Sequence, residues 1–337
     1  MRHALPVVLS LLLAACGGAP TGPTVYVALD EQFSRPLLDG FAKELQLDLT
    51  QRHDTEANKT VGLVNALVEE RGNPRASVFW CNESAQVAKL AQMGLLAPYQ
   101  SPSAADIPPE WKDAEHRWTG FAARARVLIV NTELLPDPAT WPSSYRDLVD
   151  PKWRGKCAVA RPLRGTTLTH FAALRGVLGE KEFQGFVDAL FANDVQFLTS
   201  NGATMRAVRD GQLPWAFTDT DDYHVAKAKG HPVACVFPDQ HDGGIGTMLI
   251  PNAVGLVAGG PDQEGAKKLI DAILRRETEA LLAAAESAQI PLRKGIPSPA
   301  DPAVKGLGAF RMMAWDVNQV GADLLRCDRD FNQRWAQ

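Results

Sequence analysis

Ser77-Val78-Phe79-Trp80-Cys81-Asn82-Glu83 runs directly into a segment from about Ser84 to Met93, and that join decides the fold class. Ser77–Trp80 reads as a short buried strand, and the following segment carries apolar residues at helical spacing. Gly94 is placed to end the helix. Outward from this join the alternation repeats. Thr24–Leu29 is β-rich and leads to a helix pattern over Ser34–Leu45, and Val61–Glu70 is a second helix candidate. Arg126–Asn131 is strongly apolar; a break rich in Pro and Ser (Pro136–Ser144) follows, and a fresh series begins. Strands are predicted at Lys156–Ala160, Leu213–Thr218, Pro232–Phe237 and Thr247–Ile250. Helices are predicted at Thr169–Leu178, Lys181–Phe191, Ala203–Asp210, Gln263–Leu274 and Thr278–Glu286. Strands alternating with helices imply an α/β fold with mostly parallel sheets. Ligands in such sheets sit beyond the carboxyl ends of strands. The loops to watch are therefore Leu29–Ser34, Trp80–Ser84, Leu163–Thr167, Thr199–Gly202 and Thr218–Tyr223.

The 337 residues exceed the usual size of a single core, so two lobes are expected. Arg2 and His3 precede an apolar run, Ala4–Leu12, that ends in Leu13-Ala14-Ala15-Cys16. The run is too short to span a ~30 Å hydrocarbon core, and its basic start and small-residue end are those of a secretory signal. Cys16 after the small residues resembles a bacterial lipobox; an ordinary signal cut nearby is the alternative. The expected division is a lipoprotein signal peptide at 1–15, a tether at 16–23, one lobe from 24–125 with 245–337, and a second from 126–244. Hinges are expected in Ala125–Thr132 and Phe237–Thr247. The formal charge is -4, and a mildly acidic chain without a basic stripe argues against nucleic acid. Cys81, Cys157, Cys235 and Cys327 match no zinc spacing; a Cys157–Cys235 disulfide and buried free thiols both stay open. GxSxG, HExxH and P-loop signatures are missing, which disfavours an enzyme.

Several segments, in order, resemble the iron(III)-type extracellular solute-binding proteins of ABC importers. They are Val25-Tyr26 to Glu31, Asp54 to Thr60, Val78 to Glu83, Trp118 to Arg126, Asp150 to Lys156, Gly165-Thr166-Thr167, Thr218 to Asp222 and Ser287 to Leu292. The resemblance implies the two-lobe type II periplasmic-binding-protein fold, permease and ATPase partners, and no catalytic role. In ferric members a residue after the first strand, a Glu after the second and two adjacent tyrosines hold iron, with a synergistic anion on a small-residue loop and an Asn. Carried onto this chain, the metal positions fall on Asp30 and Glu83, and the anion loop on Gly165, Thr166 and Thr167 with Asn201. The tyrosine pair falls on Asp221 and Asp222. Tyr223 is one residue further on, so at most a single tyrosinate is available there.

Asp30, Glu83, Asp221 and Asp222 converging from two lobes call for a positively charged guest or for hydrogen bonds donated to some of them, because unpaired buried carboxylates cost several kcal/mol each; all four also lie near helix starts, where capping is the alternative role. Hard oxygen ligands suit Fe(III), Ca²⁺ or Mn²⁺. The implied cargo is ferric iron with a synergistic anion; an aminophosphonate or similar zwitterion is the alternative, and an enzyme on the same fold a remote one. Thr166, Thr167 and Ser200 add neutral hydrogen bonds. Arg124 and Arg126 share a strand face; one reaches the anion, or both brace the hinge. Asp219 is expected to face away and Trp80 to line the cleft. Beyond that cargo no cofactor is expected. Membrane contact is expected through a lipid on Cys16 only, at the periplasmic or outer face, with the protein monomeric.

Overall fold

Val25 and Val27 lie directly beside Val78 and Trp80, and all four are fully buried. Around this pair the computed structural model, which describes residues 22–54 and 60–335, builds a single twisted sheet of ten strands flanked by helices. The first half of the chain order is β1 (Thr24–Val27), α1 (Glu31–Leu45), β2 (Thr50–His53), α2 (Val61–Glu69), β3 (Val78–Cys81), α3 (Ser84–Gln92), β4 (Leu96–Ala97) and β5 (Thr119–Asn131). It continues with β6 (Cys157–Ala160), α4 (Gly165–Leu178), α5 (Glu180–Ala192), β7 (Gln196–Leu198), α6 (Asn201–Arg209), β8 (Trp215–Asp219), α7 (Thr220–Ala228) and β9 (Val233–Val236). The last elements are β10 (Leu249–Val257), α8 (Gln263–Ile273), α9 (Arg276–Ala284) and α10 (Val317–Trp335). Strands run in the order β2-β1-β3-β10-β5-β8-β6-β7, with β4 on β10 and β9 on β5. The βα units pair in parallel (β1 with β2 and β3, β6 with β7 and β8), as the alternation predicts, while β5 and β10 run antiparallel to their neighbours.

β5 joins the two halves of the sheet. Through Ala125 it pairs with β10, and from Arg126 onward with β8 and β9. All 13 of its residues are buried. Near its start Ala122 takes φ +34, a left-handed conformation that disfavours a side chain. Glu279, fully buried, steadies this point: its Oε1 accepts from Ala122 N at 2.6 Å and from Leu292 N at 3.1 Å.

Several elements escape the sequence pattern, among them β2, β4, β7 and the first half of β5; β10 and α10 show why. β10 continues seven residues past Ile250 because Pro251 sits at a register shift, where its missing N–H costs no ladder bond. At Gly255 a Cβ would lie 2.8 Å from Leu96 Cδ1 and 3.0 Å from the Arg117 carbonyl oxygen, so only glycine fits. α10 packs on both α3 and α4. Its Gly321 lies against the backbone of Ala85 and Lys89, and Asp330 accepts from Arg175 on α4 at 2.7 Å. Trp335 closes the far end among Phe171, Phe191, Phe197 and Phe331.

Cys157 and Cys235 are free thiols. They sit on β6 and β9 with β8 and β5 between them, a separation of roughly 14 Å at the usual strand spacing and beyond disulfide reach. Trp80 does not line a cleft: it is fully buried, packing on Phe121 with ring centroids 5.5 Å apart. The expected signal peptide at 1–15, Cys16, most of the tether and the stretch 55–59 lie outside the described residues.

Candidate functional site

Polar residues gather where strands end. The loops after β1, β3, β6, β7 and β8 surround one cavity of about 800 Å³, and Arg124 reaches it from β5. Asp30, Glu83, Arg124, Thr166, Thr167, Ser200, Asn201, Asp221 and Asp222 all line it. Carboxylates from both halves of the sheet thus meet across one crevice.

Asp30 precedes α1, makes no capping bond and is exposed to the cavity. Glu83 precedes α3 but caps nothing; its Oε2 accepts from Thr169 Oγ1 on α4 at 2.6 Å, and its Oε1 lies 3.7 Å from Arg124 Nη2. Burial pushes the Glu83 carboxyl up to about 7 against the pull of Arg124 and Thr169. Asp221 and Asp222 fall in the first turn of α7, where the helix N-terminus favours acidic groups. Neither is the cap; Asp219 holds that position. Asp221 Oδ2 is 3.3 Å from Arg124 Nη1, and burial holds its carboxyl above the usual range, with Asp219 and Asp30 adding to the rise. Asp222 Oδ2 accepts from Thr218 Oγ1 at 2.8 Å.

Asp219 does not face away. It lines the cavity, and the antiparallel register sets it directly opposite Arg126. Arg126 Nη1 donates to its Oδ1 at 2.6 Å, while Thr166 Oγ1 and Asn201 Nδ2 donate to Oδ2 at 2.7 and 2.9 Å. Burial alone would raise this carboxyl, but Arg126 and Arg124 outweigh it and hold it below the usual carboxylate range. Both arginines are buried beside carboxylates, and Arg126 also stacks over Phe217 at 5.0 Å. Oxygens of Asp219, Asp221 and Asp222 lie within 4.8 Å of one another, the spacing of a hard-cation ligand set.

Other residues depart from expectation. Tyr223 is turned into the core, where burial and the nearby Asp301 carboxylate raise its hydroxyl pKa, so it offers the cavity no tyrosinate. Ser200 caps α6, its Oγ accepting from Ala203 N at 3.1 Å. Thr167 donates to Asn201 Oδ1 at 3.1 Å, so the donors expected to hold an anion are turned towards one another and Asp219. Asp219 and Thr169 were not read as site residues, and Arg126 was read only as one of two arginines that reach the anion or brace the hinge; it pairs with Asp219 instead. Arg161 and Arg164, exposed at the cavity rim, lie in or beside the loop Leu163–Thr167 that the strand-end rule marks. His170, without metal spacing, is buried and stacks on Phe217 at 5.1 Å.

Residues 82–317 match the family model of the bacterial extracellular solute-binding proteins. The chain belongs to that family. This solute-binding protein is 30% identical over 200 residues to an Fe(3+)-binding periplasmic protein of Serratia marcescens, a match spanning 59% of the chain and 57% of that relative. It is 25% identical over 347 residues to iron uptake protein A1 of Synechocystis, across 97% of the chain and 94% of the relative. A putative 2-aminoethylphosphonate-binding periplasmic protein of Salmonella typhi is 28% identical over 220 residues, 64% of the chain and 63% of the relative. Among solved structures, iron-bound HitA from Pseudomonas aeruginosa superposes with a TM-score of 0.82 at 23% identity, covering 93% of this chain and 99% of that one. The mixed α/β architecture of the solute-binding protein is therefore the type II periplasmic-binding-protein fold. No helix among the described residues is long and apolar enough to cross a membrane.

Proposed function

We propose that this solute-binding protein captures ferric iron and delivers it to the permease and ATPase subunits of an ABC importer. One observation carries the reading: Asp219, Asp221 and Asp222 bring oxygens within 4.8 Å of one another in a cavity that Glu83 and Asp30 enter from the other half of the sheet. Carboxylates crowded in this way repel, and a hard, highly charged cation relieves the repulsion while taking oxygen ligands. Relatives named for Fe(3+) binding and iron uptake support the same cargo. Residues 24–125 with 245–337 form one lobe and 126–244 the other, α10 reaching across from the first onto α4 of the second, with the cavity between the lobes and hinges within 125–132 and 237–247. Closure then gathers ligands from both lobes, so bound cargo favours the closed form. A lipid on Cys16 tethers the monomer outside the cytoplasmic membrane.

A second reading rests on Arg161, Arg164 and the start of α4, which has no side-chain cap. They would take the phosphonate of an aminophosphonate while the acidic side takes its ammonium. Thermal unfolding of the mature protein with Fe(III)-citrate, citrate alone and 2-aminoethylphosphonate separates the two. Iron at 100 times its Kd adds roughly 2.7 kcal/mol, and Asp221→Asn removes most of that gain. The iron complex stays pale, because Tyr223 is out of reach. Stabilisation by the aminophosphonate and none by iron refutes the ferric reading.

A further inference from the structure

One dense polar convergence among the described residues is centred on a side chain. Arg126 on β5, Thr166 on α4 and Asn201 on α6 all donate to the Asp219 carboxylate. The donors are themselves knitted together: Asn201 Nδ2 reaches Thr166 Oγ1 at 2.6 Å, and Arg126 reaches Thr166 and Thr167 at 3.2 and 3.3 Å. Arg126, Thr166, Thr167 and Asp219 are all buried. A guanidinium, a hydroxyl and an amide from three separate elements, aimed at two oxygens at charge-assisted distances, are what a small oxyanion site consists of. Here the occupant is part of the chain.

We infer that the Asp219 carboxylate is the resident anion of this pocket: it fills the oxyanion position and brings to the cargo the charge an external anion would otherwise bring. The inference concerns the mode of cargo binding and in that respect rests on the ferric reading. Among the described residues Oδ1 accepts from Arg126 alone, which leaves it a lone pair for a cation, and one oxygen of Asp219 lies within 4.8 Å of oxygens of Asp221 and Asp222. Thr166, Thr167 and Asn201 are then positioning residues that act through Asp219, without touching the solute. Iron binds without phosphate or carbonate, and a small oxyanion gains access only when Asp219 is shortened.

The test uses inorganic phosphate as probe on the mature protein and on Asp219→Ala, in a buffer free of phosphate and carbonate. Thermal stability is measured without metal. Iron uptake is followed by tryptophan quenching, with the metal supplied as Fe(II) and air-oxidised so that no chelator is present. Wild type is expected to ignore phosphate in both assays. Asp219→Ala gains stability with phosphate, and its iron uptake strengthens with phosphate by about tenfold, a typical coupling between two ligands. Should Asp219→Ala not fold, Asp219→Ser, which also vacates the position, is read in the same way. The inference is overturned if phosphate strengthens wild-type iron uptake several-fold, or if neither variant responds to phosphate more than wild type does. Failure of wild type to take iron under any condition refutes the ferric reading instead, and the metal-free phosphate response still decides whether Asp219 fills an anion position.

Discussion

Replacing Arg126 by methionine isolates the charge at the centre of the site. The side chain is fully buried, pairs with Asp219 at 2.6 Å and stacks on Phe217. Methionine keeps most of the volume and the contact with the ring, so packing is not the main loss. Breaking a buried ion pair costs about 3–5 kcal/mol. Thr166 and Asn201 still donate to Asp219, which sets the expectation at the lower end, about 3 kcal/mol, or roughly 4–5 °C in Tm for a chain of this size. The pH dependence has a definite sign. In wild type the depressed carboxyl contributes stability that is present above the usual carboxylate range and lost only as the pH falls through its lower folded value. In the variant the same carboxyl keeps only the more distant Arg124, 3.8 Å from its Oδ2, and takes up a proton more readily. Protonating it costs about 1.4 kcal/mol per unit above a reference near 3.9, so at pH 5 the variant's own penalty for this carboxyl is capped near ~1.5 kcal/mol and the deficit shrinks from its value at pH 7.5. Urea unfolding at pH 7.5 and pH 5 measures both quantities. A deficit below about 1 kcal/mol at pH 7.5 refutes the reasoning, as does one of the same size at both pH values; typical buried-pair costs are well above that.

Glu83→Gln should flatten the acid side of the stability curve of the metal-free protein. With its carboxyl raised to about 7, folded wild type holds a proton that the unfolded chain has released, so its stability falls as pH rises from about 4.3 towards 7; an unchanged slope between pH 5 and 7 counts against this. Glu279→Ala orphans the buried amides of Ala122 and Leu292 and should cost roughly 2–4 kcal/mol in denaturant unfolding, two unsatisfied donors' worth. Gly321→Ala would set a Cβ 2.9 Å from the Ala85 carbonyl oxygen and 3.0 Å from Lys89 N. Backbone cannot step aside, so a loss of about 1–3 kcal/mol is expected from overpacking, and a neutral result would mean that α10 can shift on α3.

The alternation of Val78–Cys81 with Ser84–Gln92, and of Cys157–Ala160 with Gly165–Leu178, was legible because each strand is a continuous apolar run with a polar turn after it. The same rule placed the site, since the five marked loops all reach the cavity. β10 was only half legible: Pro251 and Gly255 break a strand pattern, yet a bulge and a close approach are what demand them. α10 left a signal that went unread, with Val317, Val320, Leu324, Cys327 and Phe331 at helical spacing in an otherwise polar segment. The environment of Asp219 was not legible at all. It depends on the antiparallel register that sets Arg126 opposite, and no local pattern encodes which strand of a distant pair will face it. Tyr223 failed for a related reason: one residue past the cavity-lining Asp222, about 100° of helix rotation turns its ring to the core.

α10 also orders events during synthesis. Its apolar stripe completes a core built with Ala85, Phe171 and Phe183, residues made some 150 to 240 positions earlier. Those earlier residues have no permanent cover until the 317–335 segment has been made. The nascent polypeptide should therefore remain open, a substrate for holdases and for passage through a narrow channel, until that segment has emerged.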